Sequence, residues 1–129
     1  MSRACLCSRI RGSGLAARLG AVDGDYTPQQ VAELHARGAV QLVDVREPHE
    51  HEAGRIGGER LIPLGELTGQ AASLDAELPI VFYCRSGSRS AMATQAFRQA
   101  GYDAHNMTGG LLEWHAAGLP LVPDGGHVA

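Results

Sequence analysis

Two apolar runs stand out along the chain. Val40-Gln41-Leu42-Val43-Asp44-Val45 and Ile80-Val81-Phe82-Tyr83 are short, β-branched or aromatic, and nearly continuous. That pattern predicts strands buried on both faces. Tyr102 to Met107 reads as a third short strand, and Leu61-Ile62-Pro63-Leu64 as a brief extended piece whose proline suits an edge or a strand end. Helical patterns fill the intervals. Thr27-Pro28-Gln29-Gln30 opens the body, with Thr27 as cap, Pro28 in the first helical position and Gln30 completing a capping box; Gly38 ends that helix. Pro48 suits the start of a helical turn, and Glu66 to Leu74 is weakly helical. From Ser88 onward Ala93, Ala96, Phe97 and Ala100 form one apolar stripe, which Gly101 stops. Gly109-Gly110 then turns the chain into a last helix, where Leu111 or Leu112, Trp114 and Leu119 can close the core.

Strands alternating with helices predict an α/β fold: a mostly parallel central sheet with helices on both faces and right-handed crossovers. Ligands of such sheets bind beyond the carboxyl ends of the strands. Cys84 and Asp44-Val45-Arg46 both follow strands at that end. The two features are expected to share one edge of the sheet.

Composition narrows the picture. A chain of 129 residues suits one domain, and 44% hydrophobic content is ordinary for one. Two Phe and one Trp leave a mostly aliphatic core. All eleven basic residues are Arg, which excludes a lysine Schiff base or lysine general base. A formal charge of -3 argues against a polyanion such as nucleic acid as partner. Residues 1–20 hold four Arg and no acid, so the acidic balance lies in the rest of the chain. This leader lacks an apolar core for secretion and reads as a weakly ordered tail or a short transit segment. The expected layout is a leader at 1–24, one domain at 25–123 and a tail at 124–129. No run is long enough to span a membrane. Three Cys, two of them (Cys5 and Cys7) in the leader, make no disulfide framework and point to a reducing compartment, with the cytoplasm as expected location.

The chemistry concentrates in Cys84-Arg85-Ser86-Gly87-Ser88-Arg89-Ser90. A free thiol titrates near 8.5, so only about 3% is thiolate at neutral pH. A helix starting near Ser88 presents unpaired N–H groups and a positive dipole end. Arg85 and Arg89 add fixed charge, and Gly87 lets successive amides converge as in an anion nest. The segment is therefore both a thiolate stabiliser and an anion site. A plain buried core Cys explains Cys84 alone but not the two Arg and the Gly beside it. Without a His in the loop, the nucleophile need not rely on a paired imidazole. His105 and His115 read as surface residues, and His49-Glu50-His51-Glu52 as a solvated acidic face rather than a metal cluster. Asp44 is either a catalytic carboxylate or, on the preferred reading, a structural partner for Arg46 or a loop N–H. Arg55 either lines the site or lies on the surface.

With these residues in place, the chain resembles the rhodanese-like sulfurtransferase family. Leu42-Val43-Asp44-Val45-Arg46-Glu47 resembles its first motif, and Glu52-Ala53-Gly54-Arg55-Ile56 with Ile62-Pro63 the next, although the family usually has His where Arg55 stands. Ile80 to Ser90 is similar to the active-site loop, and Gly109-Gly110, Trp114 and Gly118-Leu119-Pro120 to the closing segment. The resemblance spans roughly residues 26–122 and implies a three-layer rhodanese-like fold. It implies that Cys84 takes the outer sulfur of thiosulfate or a persulfide and passes it to a thiol or cyanide. Arg85, Ser86, Gly87, Ser88 and Arg89 would hold the persulfide and the anionic donor, with Asp44, Arg46 and Arg55 in support. No metal or organic cofactor is implied. A persulfide carrier serving a protein acceptor, a phosphatase or arsenate reductase of related fold, and a non-catalytic binding module are the rival readings. Phosphatases of that kind place five residues between Cys and Arg, whereas Arg85-Ser86-Gly87-Ser88 is four, a smaller cradle that favours one sulfur atom.

Overall fold

A computed structural model describes residues 24–129. The expectations for the basic leader, Cys5 and Cys7 lie outside the described residues. The elements run α1 (Pro28–Ala36), β1 (Gln41–Asp44), α2 (Pro48–Ala53), β2 (Arg60–Leu61), α3 (Leu67–Gln70), β3 (Ile80–Tyr83), α4 (Ser88–Gln99), β4 (Ala104–Asn106) and α5 (Gly110–Ala116). Single 3-10 turns flank α3 on both sides, which is how the weak helical pattern of Glu66–Leu74 resolves.

Local chemistry explains the strongest boundaries. The Thr27 amide donates to Gln30 Oε1 at 2.9 Å and the Gln30 amide to Thr27 Oγ1 at 3.2 Å, a reciprocal box at the start of α1. Gly38 and Gly101 sit just past α1 and α4 at positive φ, the conformation that ends a helix without a side-chain clash.

The sheet order is β2-β1-β3-β4, with every neighbouring pair parallel. β1 and β3 are central, which is why they carry the continuous apolar runs. Tyr26 adds a parallel bridge to Met107 beyond β4. One core, with Val43, Val45, Ile80, Phe82, Ala93 and Phe97, lies between the sheet and α3 and α4; the other, with Val31, Leu42, Val81, Tyr83, Leu111 and Trp114, lies under α1 and α5. Helices thus cover both faces, as the alternation of patterns predicts.

Two details differ from the sequence reading. The buried face of α4 is Ser90, Ala93, Thr94 and Phe97, while Ala96 and Ala100 are exposed. The helix turns Ser90 inward because its first turn meets the end of β3, and Thr94 satisfies its own hydroxyl on the Ser90 carbonyl at 2.8 Å. Residues 122–129, the expected tail among them, return to the body. Arg55 and Val122 exchange backbone hydrogen bonds at 2.9 and 2.7 Å, the His127 amide donates to the Ala53 carbonyl at 2.9 Å, and Val128 packs on the second core. A side chain on Gly54 would run into the His127 backbone, so glycine is what lets this strap lie close.

Candidate active site

Strand alternation places Cys84. Along β3, Ile80 and Phe82 face α4, and Val81 and Tyr83 face α1 and α5. Cys84 continues the α4-facing set and has no exposed surface. The chain then turns through Gly87 at φ +104 and enters α4 at Ser88. The left-handed turn at Gly87 aims its amide at Cys84 Sγ, 3.1 Å away. The Ser90 amide reaches Sγ at 3.5 Å and the Ser90 hydroxyl at 3.4 Å. Burial alone would push the Cys84 thiol up; donation from the Ser90 hydroxyl and from the amides of Ser90, Gly87 and Ser86 outweighs it, so the thiol lies below its ordinary value. Asn106 fixes this arrangement from β4: its Oδ1 accepts from the Ser90 hydroxyl at 2.6 Å, and its Nδ2 donates to the Gly87 carbonyl at 3.4 Å.

α5 shapes the other side of the loop. The Leu111 and Leu112 amides donate to the Cys84 and Arg85 carbonyls at 2.9 and 3.0 Å. A planar trans peptide points its N–H opposite its C=O. Drawing these two carbonyls toward α5 therefore turns the Arg85 and Ser86 amides the other way. The approach is possible only at glycine: a Cβ on Gly110 would stand 2.5 Å from the Arg85 carbonyl oxygen and 2.6 Å from that of Cys84.

The arginines behave differently from one another. Arg85 is exposed and donates from Nε to the Ala129 carbonyl at 3.0 Å. Arg89 is half-buried and holds both carboxylate oxygens of Glu50, with Nη1–Oε1 at 2.9 Å and Nη2–Oε2 at 3.0 Å. Glu50 also caps the Glu47 amide at 2.9 Å. Its carboxyl is held down to about 2, chiefly by the Arg89 hydrogen bonds. The expected solvated acidic face is thus corrected at Glu50, which is buried because α2 must reach α4. Ser86 and Ser88 are exposed on the loop.

Asp44 and Arg46 lie at the same sheet edge but behind it. Asp44 pairs in register with Tyr83, and both side chains of the Asp44–Arg46 pair are fully buried. Arg46 donates to Asp44 from Nε and Nη2 (2.9, 3.1 and 2.7 Å), and from Nη2 to the Gly54 carbonyl at 2.7 Å, with its guanidinium 5.6 Å from the centre of the Tyr83 ring. Cys84 faces α4, whereas Tyr83 faces α1 and α5, so the sheet separates this pair from the thiol. The pair ties the end of β1 to the end of α2. Arg55 donates to the His51 carbonyl at 3.2 Å, which places it at the α2 end of the strap. His105, expected on the surface, is buried between the Gly24 carbonyl and Asp103, stacked on Tyr26. His115 is exposed. Asp44, His51 and Glu59 are close enough to share a metal ion. However, Asp44 is committed to Arg46, and Glu59 to His51 and the Tyr83 hydroxyl, so these ligand atoms already have partners.

The sequence matches the family of Rhodanese-like domains over residues 27–117. The chain belongs to the rhodanese-like domain family. A sulfurtransferase of Allochromatium vinosum is 33% identical over 106 residues, covering 81% of this chain and 96% of the relative. An HTH-type transcriptional regulator of Mycobacterium tuberculosis is 39% identical over 106 residues, covering 80% of this chain and 46% of the relative. The chain spans 46%, 60% and 54% of the first three curated relatives it matches. A rhodanese-related protein of Thermoplasma volcanium shares the fold with a TM-score of 0.72 at 29% identity, covering 77% of this chain and 97% of that structure.

The structure brings three further residues against the Cys84 loop: Ser90, which the sequence places in the segment without a separate role, and Glu50 and Asn106, which it does not mark. Ser90 is the third residue of α4, and a serine in the first turn of a helix that follows a cysteine loop is a usable signal. Glu50 and Asn106 come from other strand–helix units, and nothing local to either marks it.

Proposed function

We propose that this rhodanese-like domain is a sulfurtransferase with Cys84 as nucleophile. The observation that carries the reading is the convergence of the Gly87 amide and both Ser90 donors on a buried Cys84 Sγ. The Cys84 thiolate attacks the outer sulfur of a donor. A new S–S bond forms at Sγ, the donor's own S–S bond breaks, and the leaving group departs with the electron pair: sulfite from thiosulfate, a thiolate from a persulfide. An acceptor thiol, or cyanide in an assay, then takes the sulfur and returns Cys84 to thiolate. Such two-step covalent catalysis predicts ping-pong kinetics. The amides of Ser86, Gly87 and Ser90 hold the negative charge of thiolate and persulfide alike.

Two features argue against the phosphatase reading. The spacing from Cys84 to Arg89 is one residue short, and both carboxylate oxygens of Glu50 occupy the Arg89 guanidinium that would bind an oxyanion. The test is intact-protein mass after exposure of the reduced chain to thiosulfate or a small hydropersulfide. Wild type is expected to gain one sulfur, removable by thiol, and Cys84→Ser none. A gain on Cys84→Ser, or none on wild type with either donor, overturns the assignment.

A further inference from the structure

We infer that Glu50 sets the donor class of this site: it disfavours the thiosulfate dianion and leaves a site suited to neutral or singly charged persulfides. The inference rests on the sulfurtransferase reading and adds its specificity. Two cations belong to the loop, Arg85 and Arg89. Arg89 is matched in a two-point ion pair by Glu50, at 2.9 and 3.0 Å. That carboxylate is 10% exposed and is pinned from a second direction by the Glu47 amide. With its carboxyl held at about 2, it stays charged at any working pH. Arg85 is exposed, where water and salt weaken its field, and its Nε is turned to the Ala129 carbonyl. Once Cys84 ionises, its charge and that of Glu50 balance both arginines. A dianion must then approach a neutral cluster that already contains the attacking thiolate. Binding it through Arg89 would require dismantling a pair that also caps α2.

A neutral hydropersulfide meets no such obstacle, and its anion carries one charge where thiosulfate carries two. The step Cys84–S⁻ + R–S–SH → Cys84–S–SH + R–S⁻ brings no net charge in with the donor. One S–S bond forms, one breaks, the thiolate leaves with the electron pair, and no oxidant is needed. The amides of Ser86, Gly87 and Ser90 hold the single negative charge throughout, the task for which they are placed.

The experiment measures second-order sulfur loading of the full chain in single turnovers. Inorganic thiosulfate and the hydropersulfide of 2-mercaptoethanol serve as donors, with the gain of one sulfur on Cys84 as readout. The donors differ in intrinsic reactivity, so the ratio of their constants is followed across variants. Glu50→Gln keeps an oxygen for the Glu47 amide but removes the charge. It is expected to raise the ratio of the thiosulfate constant to the hydropersulfide constant about tenfold, and Glu50→Asp is expected to stay near the wild-type ratio. Wild type alone supplies a second measurement that needs no variant to fold. Its thiosulfate constant is expected to stay flat or rise with added salt, because no uncompensated positive charge attracts the anion. A ratio unmoved by Glu50→Gln, or a wild-type thiosulfate constant falling more than about twofold between about 20 and 300 mM salt, overturns the inference while leaving the transferase intact. Failure of both donors to load wild type removes the sulfurtransferase reading itself, and the inference with it.

Discussion

Ser90 has one hydroxyl proton and two acceptors within reach, Asn106 Oδ1 at 2.6 Å and Cys84 Sγ at 3.4 Å. Its backbone amide is fixed on Sγ, while its hydroxyl can turn toward the sulfur when the sulfur is charged. The low thiol therefore depends on hydrogen bonds more than on the two arginines that the sequence advertises, one of which Glu50 neutralises. Folding lowers the Cys84 thiol, so nucleophilic reactivity should rise with pH through a midpoint below that of a free cysteine. Ser90→Ala should move that midpoint upward and slow alkylation of Cys84 at pH 7 by roughly tenfold, the scale of one hydrogen bond to a charged group. The check is a pH profile of iodoacetamide labelling followed by mass; an unmoved midpoint would assign the hydroxyl to Asn106 alone. At this scale Cys84, Gly87 and the loop arginines were legible from types and spacing. The partner of each arginine was not, because an ion pair between α2 and α4 is written at two distant places in the chain.

At the scale of elements, the loop is a product of two helices. The Gly87 turn and the first turn of α4 supply the donors to sulfur, and α5 holds the loop carbonyls through the Leu111 and Leu112 amides. Gly110 permits this contact, at φ +62 with the Cys84 and Arg85 carbonyl oxygens where a Cβ would go. Neither obstacle is a flexible side chain, so Gly110→Ala should cost about 2 kcal/mol or more in urea unfolding and should also raise the Cys84 midpoint. Loss of stability without a change in labelling would mean that α5 only packs. The boundaries of α1, β1, β3 and α4 could be read from caps and apolar runs. The face of α4 could not be read as well: its alanine stripe suggested Ala96 and Ala100, but the need to put Ser90 against Cys84 rotated the buried side to Ser90, Ala93, Thr94 and Phe97.

At the scale of the molecule, the Glu50–Arg89 pair joins the β1–α2 half to the β3–α4 half across the site, and Asp44–Arg46–Gly54 steadies α2 from behind. The folded state lowers the Glu50 carboxyl from 4.5 to about 2, so its stabilisation is present above 4.5 and is lost as pH falls through about 2. Glu50→Gln should therefore be less stable than wild type at pH 7 by about 1–2 kcal/mol, and the gap should close between pH 4.5 and 2. Denaturant melts of both proteins across that range check it, and a gap independent of pH would show that the lost term is not the charge. Among the described residues no helix is long and apolar enough to cross a membrane. The sequence by itself determined the alternation of strands and helices, the parallel sheet, and a thiol at a strand end ahead of a glycine turn. These follow from local rules of period, capping and backbone freedom. Only the tertiary structure decided which side of the sheet each group faces, that Asp44 and Arg46 stand behind Cys84 rather than beside it, and that Arg89 is already taken by Glu50. Those facts depend on the meeting of segments about forty residues apart, and no local pattern encodes where two such segments come to rest.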